Sequence, residues 1–220
     1  MEIKNYSKAL ECYEEVLTHI LPDGELLFKI GQCYHFLGKI KIAQQFYQRS
    51  IKLDDLNDEV YFYLGECSAK LEDWNSAIHF YKRAIEIEGK REEYFSALAT
   101  TYAHLDQSEK AFHYFDRAIE LAPEQAIYWV KFAAFLMDVG AFDAAIDVLN
   151  DADEHAVGPE LLFCKAACLL KMNMEKEAMH ILTEALTEDF EMHPVLFSYI
   201  PALKADRKIN AMIDFYQYER

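Results

Sequence analysis

The chain has 220 residues, of which 52% are apolar and 14% aromatic, enough for a sizeable buried core and too apolar for a disordered segment. Seven glycines and five prolines are few for a β-sandwich or a Rossmann-like sheet, and helix formers are plentiful, so the expected fold is all-α. With 22 basic and 38 acidic residues the formal charge is -16, which repels phosphate backbones and anionic headgroups and makes nucleic acid a poor partner.

No apolar run is long enough to span a bilayer, and the N-terminal MEIKNYSKALECYEE is too charged for a signal-peptide core. A cytoplasmic location is therefore expected. Five cysteines, an odd number, match no small secreted scaffold and suit a reducing compartment.

In chain order, the first predicted helix carries an apolar stripe, Ile3, Tyr6, Ala9, Leu10, Tyr13, Val16, Leu17 and Ile20, with no partner helix before it. Such a stripe needs a cover. Truncation from a longer repeat protein is the favoured account, because evolved caps carry a polar outer face; docking of a second copy through residues 1–20 is the alternative.

The chain repeats from its first segment to about residue 192. Ala9, Ala43, Ala77, Ala111 and Ala145 recur every thirty-four residues, and Ala178 and Ala211 continue the ladder at thirty-three. Four residues after each stands Tyr13, Tyr47, Tyr81, Phe115, Leu149, Leu182 and Phe215. The preceding helix of each pair carries a large column, Leu27, Tyr61, Phe95, Trp129 and Leu162, and a small one, Gly31, Gly65, Ala99, Ala133 and Ala166. The small column lets two helix backbones approach closely. These columns predict units at 24–57, 58–91, 92–125, 126–158 and 159–192, preceded by a lone second helix in 1–23. NDADEHAVGP, 150–159, is the most irregular inner connection, and Gly158-Pro159 reads as a helix stop and start. At 193–220 Pro201 breaks the expected first helix, leaving a shortened helix over 194–204 and a closing one over 207–217, a degenerate cap.

This pattern of large apolar residue, Leu-Gly or Leu-Ala, Tyr, Ala, Phe, Ala and Pro at fixed offsets resembles the tetratricopeptide repeat, and 92–125 matches it at nearly every position. Ser68 departs from its tyrosine, Phe132 and Lys165 from its leucine, and Asp55 and Gly89 from its proline. The resemblance implies a single right-handed superhelical α-solenoid of stacked helix-turn-helix hairpins.

Candidate chemical clusters have plainer explanations. Cys33, Cys67 and Cys168 share a column where a small buried residue suits a crowded helix face. Cys164 and Cys168 lack further ligands at zinc-site spacing, so no metal is expected. His79, His113 and His180 also share a column, but on hairpins ~10 Å apart, too far for joint coordination. Carboxylate pairs such as Asp54-Asp55 and Glu188-Asp189 fall in hairpin connections, which offer no desolvated pocket for splitting their pKa values. The chain has no Walker loop, GxSxG, HExxH or Rossmann glycine fingerprint; neither catalytic residues nor a cofactor are expected.

In solenoids the first helices line the inner wall. The resemblance places a peptide-binding groove on Phe28, Lys29, Gln32, Phe62, Tyr63, Glu66, Ser96, Thr100, Val130, Lys131 and Phe163, with His35 and Lys70 among their neighbours. Chaperone-binding relatives carry Lys, Asn and Arg at set groove positions to clamp a terminal carboxylate; here Phe28, Gln32, Tyr63, Glu93 and Ala97 stand there, so a chaperone tail is not the expected ligand. An apolar segment flanked by Lys or Arg fits the aromatic and acidic wall. The function expected is therefore a non-catalytic protein-protein interaction scaffold. The alternatives are a homo-oligomerisation module and a helical appendage of a larger multidomain protein.

Overall fold

The computed structural model describes residues 2–218, with side chains from residue 5; Ile3 of the first stripe and residues 219–220 lie outside that description. The described residues contain no strand. They divide into two compact units, 1–114 and 115–220, and the division falls inside a helix.

The first unit holds α1 (Glu2–Leu17), then the pairs α2 (Gly24–Phe36) with α3 (Ile40–Ser50) and α4 (Asp58–Lys70) with α5 (Trp74–Ile87). It ends with α6 (Glu92–His104) and the first half of α7 (Ser108–Leu121). The second unit continues with the pairs α8 (Ala126–Asp138) with α9 (Phe142–Ala152) and α10 (Pro159–Lys171) with α11 (Glu175–Glu188). A 3-10 turn at Phe190–Met192, the short α12 (Pro194–Tyr199), a second 3-10 turn at Pro201–Ala205 and α13 (Arg207–Tyr218) close it. None of these helices is long and apolar enough to cross a membrane.

The starts of α2, α4 and α5 are capped by side chains. The carboxylates of Asp23 and Asp73 and the amide oxygen of Asn57 accept from the backbone N–H groups of Leu26, Ser76 and Val60, each satisfying one otherwise orphaned donor. Helix ends follow a second rule that recurs in every pair. Gly38, Glu72, Asp106, Gly140 and Asn173 all have φ between 55° and 80°. The next residue donates back across the turn each time: Lys39 to Tyr34 O, Asp73 to Ser68 O, Gln107 to Tyr102 O, Ala141 to Leu136 O and Met174 to Leu169 O, at 2.8–3.0 Å. This is the Schellman closure, and it needs a left-handed residue. Glycine supplies that conformation at little cost, whereas Glu72 and Asp106 hold it against steric resistance.

Hairpin packing rests on the alanine ladder. Ala43, Ala77, Ala111, Ala145 and Ala178 are at most 1% exposed. Tyr47 and Tyr81 are equally buried, and a Cβ added at Gly31 or Gly65 would lie 2.5 or 2.4 Å from the ring of the facing tyrosine. The rings thus lie flat on the bare glycine backbones. In the second unit the corresponding small residues are Ala133 and Ala166, and their ladder partners are the slimmer Leu149 and Leu182, all buried.

At the C-terminus the ladder fails. Ala211 is exposed and Phe215 is 55% exposed, while Ile209 and Ile213 face the core with Leu182, Leu186, Phe190 and Leu196. The expected Ala211–Phe215 face needs a full first helix opposite, and α12 spans only six residues before Pro201. Without that partner α13 turns its β-branched side toward α11 and α12 instead. At the other end, α1 packs Tyr6, Ala9, Leu10, Tyr13 and Leu17 around Ile30 and Cys33 of α2, leaving Val16, Ile20 and Leu21 exposed.

Two substitutions test these constraints in urea denaturation. Gly65→Ala should destabilise the chain by ~1–3 kcal/mol, because its methyl group overpacks the Tyr81 ring. Glu72→Gly should stabilise it by about 1 kcal/mol by relieving the left-handed turn.

Candidate functional site

Within the first unit, rings from α2, α3 and α4 form a continuous aromatic network that runs from the core to the surface. Phe28 sits 5.9 Å from Tyr47 and 5.7 Å from Tyr63, and Tyr63 stacks on Tyr47 at 5.7 Å. Phe62 stacks on Tyr94 of α6 at 4.9 Å and lies 5.7 Å from Tyr81. Phe36, 44% exposed, stacks on Tyr6 of α1 at 4.7 Å. These rings fix one another through offset and tilted contacts rather than through any single anchor.

Where α2 ends and α4 passes, the surface opens into a cavity of about 570 Å³ lined by His35, Phe36, Gly38, Ile40, Phe62, Tyr63, Glu66 and Lys70. Its polar groups are placed by hydrogen bonds. Tyr81 donates its hydroxyl to Glu66 Oε1 at 2.7 Å. His35, only 6% exposed, has Nε2 2.7 Å from Lys70 Nζ and Nδ1 3.7 Å from Cys67 Sγ. Burial, aided by the Lys70 ammonium, pushes the His35 imidazole down to about 4, so at neutral pH it is uncharged and Nε2 accepts from lysine. Burial also drives the Cys67 thiol up to about 12, which keeps it protonated and unreactive.

The acidic edge of this face is knitted by Arg91, whose guanidinium contacts Glu59 at 2.7 Å, Glu93 at 3.6 Å and the Tyr94 hydroxyl at 3.3 Å. Tyr94 in turn donates to Asp58 Oδ2 at 2.6 Å. On α2, Lys29 pairs with Glu25 at 2.9 Å.

Of the eleven residues proposed from sequence, the cavity gathers Phe62, Tyr63 and Glu66. Gln32 stands beside them and reaches the Tyr63 hydroxyl, and Lys29 is exposed on α2. Thr100 is exposed on α6, with its hydroxyl bonded to Ser96 O, and Lys131 is exposed on α8 in the second unit. Four of the eleven are corrections to a groove-wall role: Phe28, Ser96, Val130 and Phe163 are 4%, 0%, 6% and 0% exposed and belong to the core. Their helical offset turns them toward neighbouring helices, Phe28 against Tyr47 and Tyr63, and Phe163 into the cluster with Leu182 and Leu196. Phe36 and Ile40, which line the cavity, went unnoticed in sequence because they fall at a helix end and just past a turn.

Elsewhere, Cys33, Cys67, Cys164 and Cys168 are buried, and His79, His113 and His180 are exposed. Among the described residues no three His, Cys, Asp or Glu side chains are grouped to hold a metal ion.

Comparison with known proteins gives a consistent likeness. Residues 58–90 match one model of the tetratricopeptide repeat, and residues 24–55 and 92–125 match a second. Similar solved structures include MamA, 22% identical with a TM-score of 0.63, covering 69% of this chain and 89% of MamA. YrrB, described as a TPR protein with an unusual peptide-binding site, is 18% identical with a TM-score of 0.58, covering 88% of this chain and 96% of YrrB. TTC0263, a thermophilic TPR protein of Thermus thermophilus, is 20% identical with a TM-score of 0.62, covering 82% of this chain and 98% of its own. At such identities the likeness extends to the fold. No curated protein matches the sequence.

The site's buried polar groups give two predictions. Tyr47 occupies the same ladder place as Tyr81, but its hydroxyl is buried without a partner, because Gln32, which stands where α4 has Glu66, turns to Tyr63 instead. Tyr47→Phe should therefore be neutral or slightly stabilising, whereas Tyr81→Phe should cost about 1 kcal/mol, as read from urea midpoints. For His35, the unfolded imidazole takes up a proton near pH 6.5 that the folded chain refuses until about 4. Its contribution is thus fully present at neutral pH and falls with pH through that window, by about 2 kcal/mol between pH 7 and pH 5. His35→Gln should remove that share of the acid sensitivity; an identical pH dependence in both proteins would contradict the assignment.

Proposed function

Because this chain belongs to the tetratricopeptide-repeat family, a family of protein-interaction modules, we propose that it is a non-catalytic scaffold holding a partner segment against the α2–α4 face. The cavity between α2 and α4 is the observation that carries this reading, since it joins apolar ring surface to a few fixed polar groups, the usual make-up of a recognition pocket. The partner is an extended or helical protein segment, apolar at its centre and bearing Lys or Arg at its flanks. Two features support that chemistry. The chain's formal charge is -16, and the cations Lys29 and Arg91 are bound to the protein's own carboxylates, while Lys70 in the pocket wall is held by His35. Such a surface attracts basic segments and repels nucleic acid and acidic tails.

The peptide-binding site named for YrrB supports a peptide ligand by analogy of fold alone. A second reading, self-association through residues 1–20, is favoured by the exposure of Val16 at the end of α1 and of Ile20 just after it. Light scattering separates the two: a dimer that Ile20→Glu dissolves supports self-association, and a monomer at all concentrations removes it.

For the main reading, peptides selected from a displayed library against the full chain should be apolar with basic flanks. The double variant Phe62→Ala with Tyr63→Ala should weaken their binding at least about tenfold, since it removes the ring surface of the pocket, while far-UV circular dichroism shows helicity retained. Acidic selected peptides, or binding indifferent to the double variant, would contradict the reading.

A further inference from the structure

Glu66 and Lys70 stand one turn apart on α4, the spacing at which a glutamate ordinarily pairs with a following lysine. They make no ion pair with each other. Lys70 instead donates to the buried His35 Nε2 at 2.7 Å, and Glu66 accepts from the neutral Tyr81 hydroxyl at 2.7 Å. The pocket therefore contains a carboxylate with no direct ion pair among the described residues, with Phe62 and Tyr63 beside it and the Lys70 ammonium turned toward His35 in the same wall. Glu59 and Glu93, the nearby acids, already share Arg91.

We propose that this pocket is a receptor for one arginine side chain of the partner, the guanidinium pairing with Glu66 while its plane lies on the Tyr63 ring, with the Phe62 ring standing beside it at 70°. The proposal rests on the α2–α4 reading and specifies its anchor. Arginine fits better than lysine because its flat, weakly hydrated cation stacks on aromatic faces while offering paired donors to a carboxylate. His35 serves as a positioning residue: by accepting from Lys70 it holds that ammonium out of direct contact with Glu66, and its burial keeps it uncharged for that task.

The test uses two synthetic peptides, acetyl-Arg-Leu-Leu-Leu-Ser-amide, with an apolar centre and a flanking arginine, and the same sequence with citrulline, the neutral near-isostere, in place of arginine. Each is titrated into the isotopically labelled full chain while the Glu66 carboxylate and Tyr63 ring resonances are followed. The arginine peptide should bind about fivefold to tenfold more tightly and shift both sets of resonances. Glu66→Gln, which still accepts from Tyr81 and so preserves the fold, should abolish the preference, and Lys70→Met, which removes the competing cation, should increase it. Equal binding of both peptides with Tyr63 shifted would remove the arginine site and leave the binding face standing, as would a preference that survives Glu66→Gln. No shift of this face by either peptide would overturn both.

Discussion

The contact on which the first unit depends is the tyrosine ring laid against a glycine backbone, Tyr47 on Gly31 and Tyr81 on Gly65. A methyl group at either glycine would stand 2.4–2.5 Å from ring carbon, so the two helices of each hairpin can close only while that position stays bare. The ladder alanines, essentially unexposed, extend the same close approach along the second helices. Rigid, close-packed hairpins then turn a sequence period into a spatial one.

The α2–α4 face proposed to meet a partner is a consequence of that packing. Once Tyr81 is pressed onto Gly65, its hydroxyl emerges beside Glu66 and fixes the carboxylate in the pocket wall. Tyr47, set the same way, brings its ring under Tyr63 and backs the aromatic face. His35 is buried in the same crowding, which lowers its basicity and makes it an acceptor for Lys70. Core and pocket are therefore one construction: the groups that close the hairpins also set the charge and orientation of the groups in the pocket wall.

Much of this was legible in the sequence, because repetition multiplies the signal. One alanine or tyrosine says little, but Ala43, Ala77, Ala111, Ala145 and Ala178 at constant spacing reveal hairpins, and their burial agrees. The site was legible only in part. Phe62, Tyr63 and Glu66 could be placed by offset, yet the same offset also selected Phe28, Ser96, Val130 and Phe163, which the core absorbs. A column in a sequence fixes a direction on one helix, whereas exposure depends on what the adjacent hairpin puts there. The ladder misled once more at Ala211 and Phe215, where a proline upstream removed the helix those residues were expected to face. Left-handed turns at Glu72 and Asp106 gave no sign in composition, since neither residue announces that conformation as glycine does at Gly38 and Gly140.

The central claim is that the α2–α4 face meets a partner in the cell, and site-directed photocrosslinking tests it most directly. Benzoylphenylalanine placed at Phe36, on the rim of the pocket, should yield a discrete adduct under irradiation of living cells. The same probe at Phe112, comparably exposed on α7, should yield none of that species. Adducts from position 112 with none from position 36 would contradict the account.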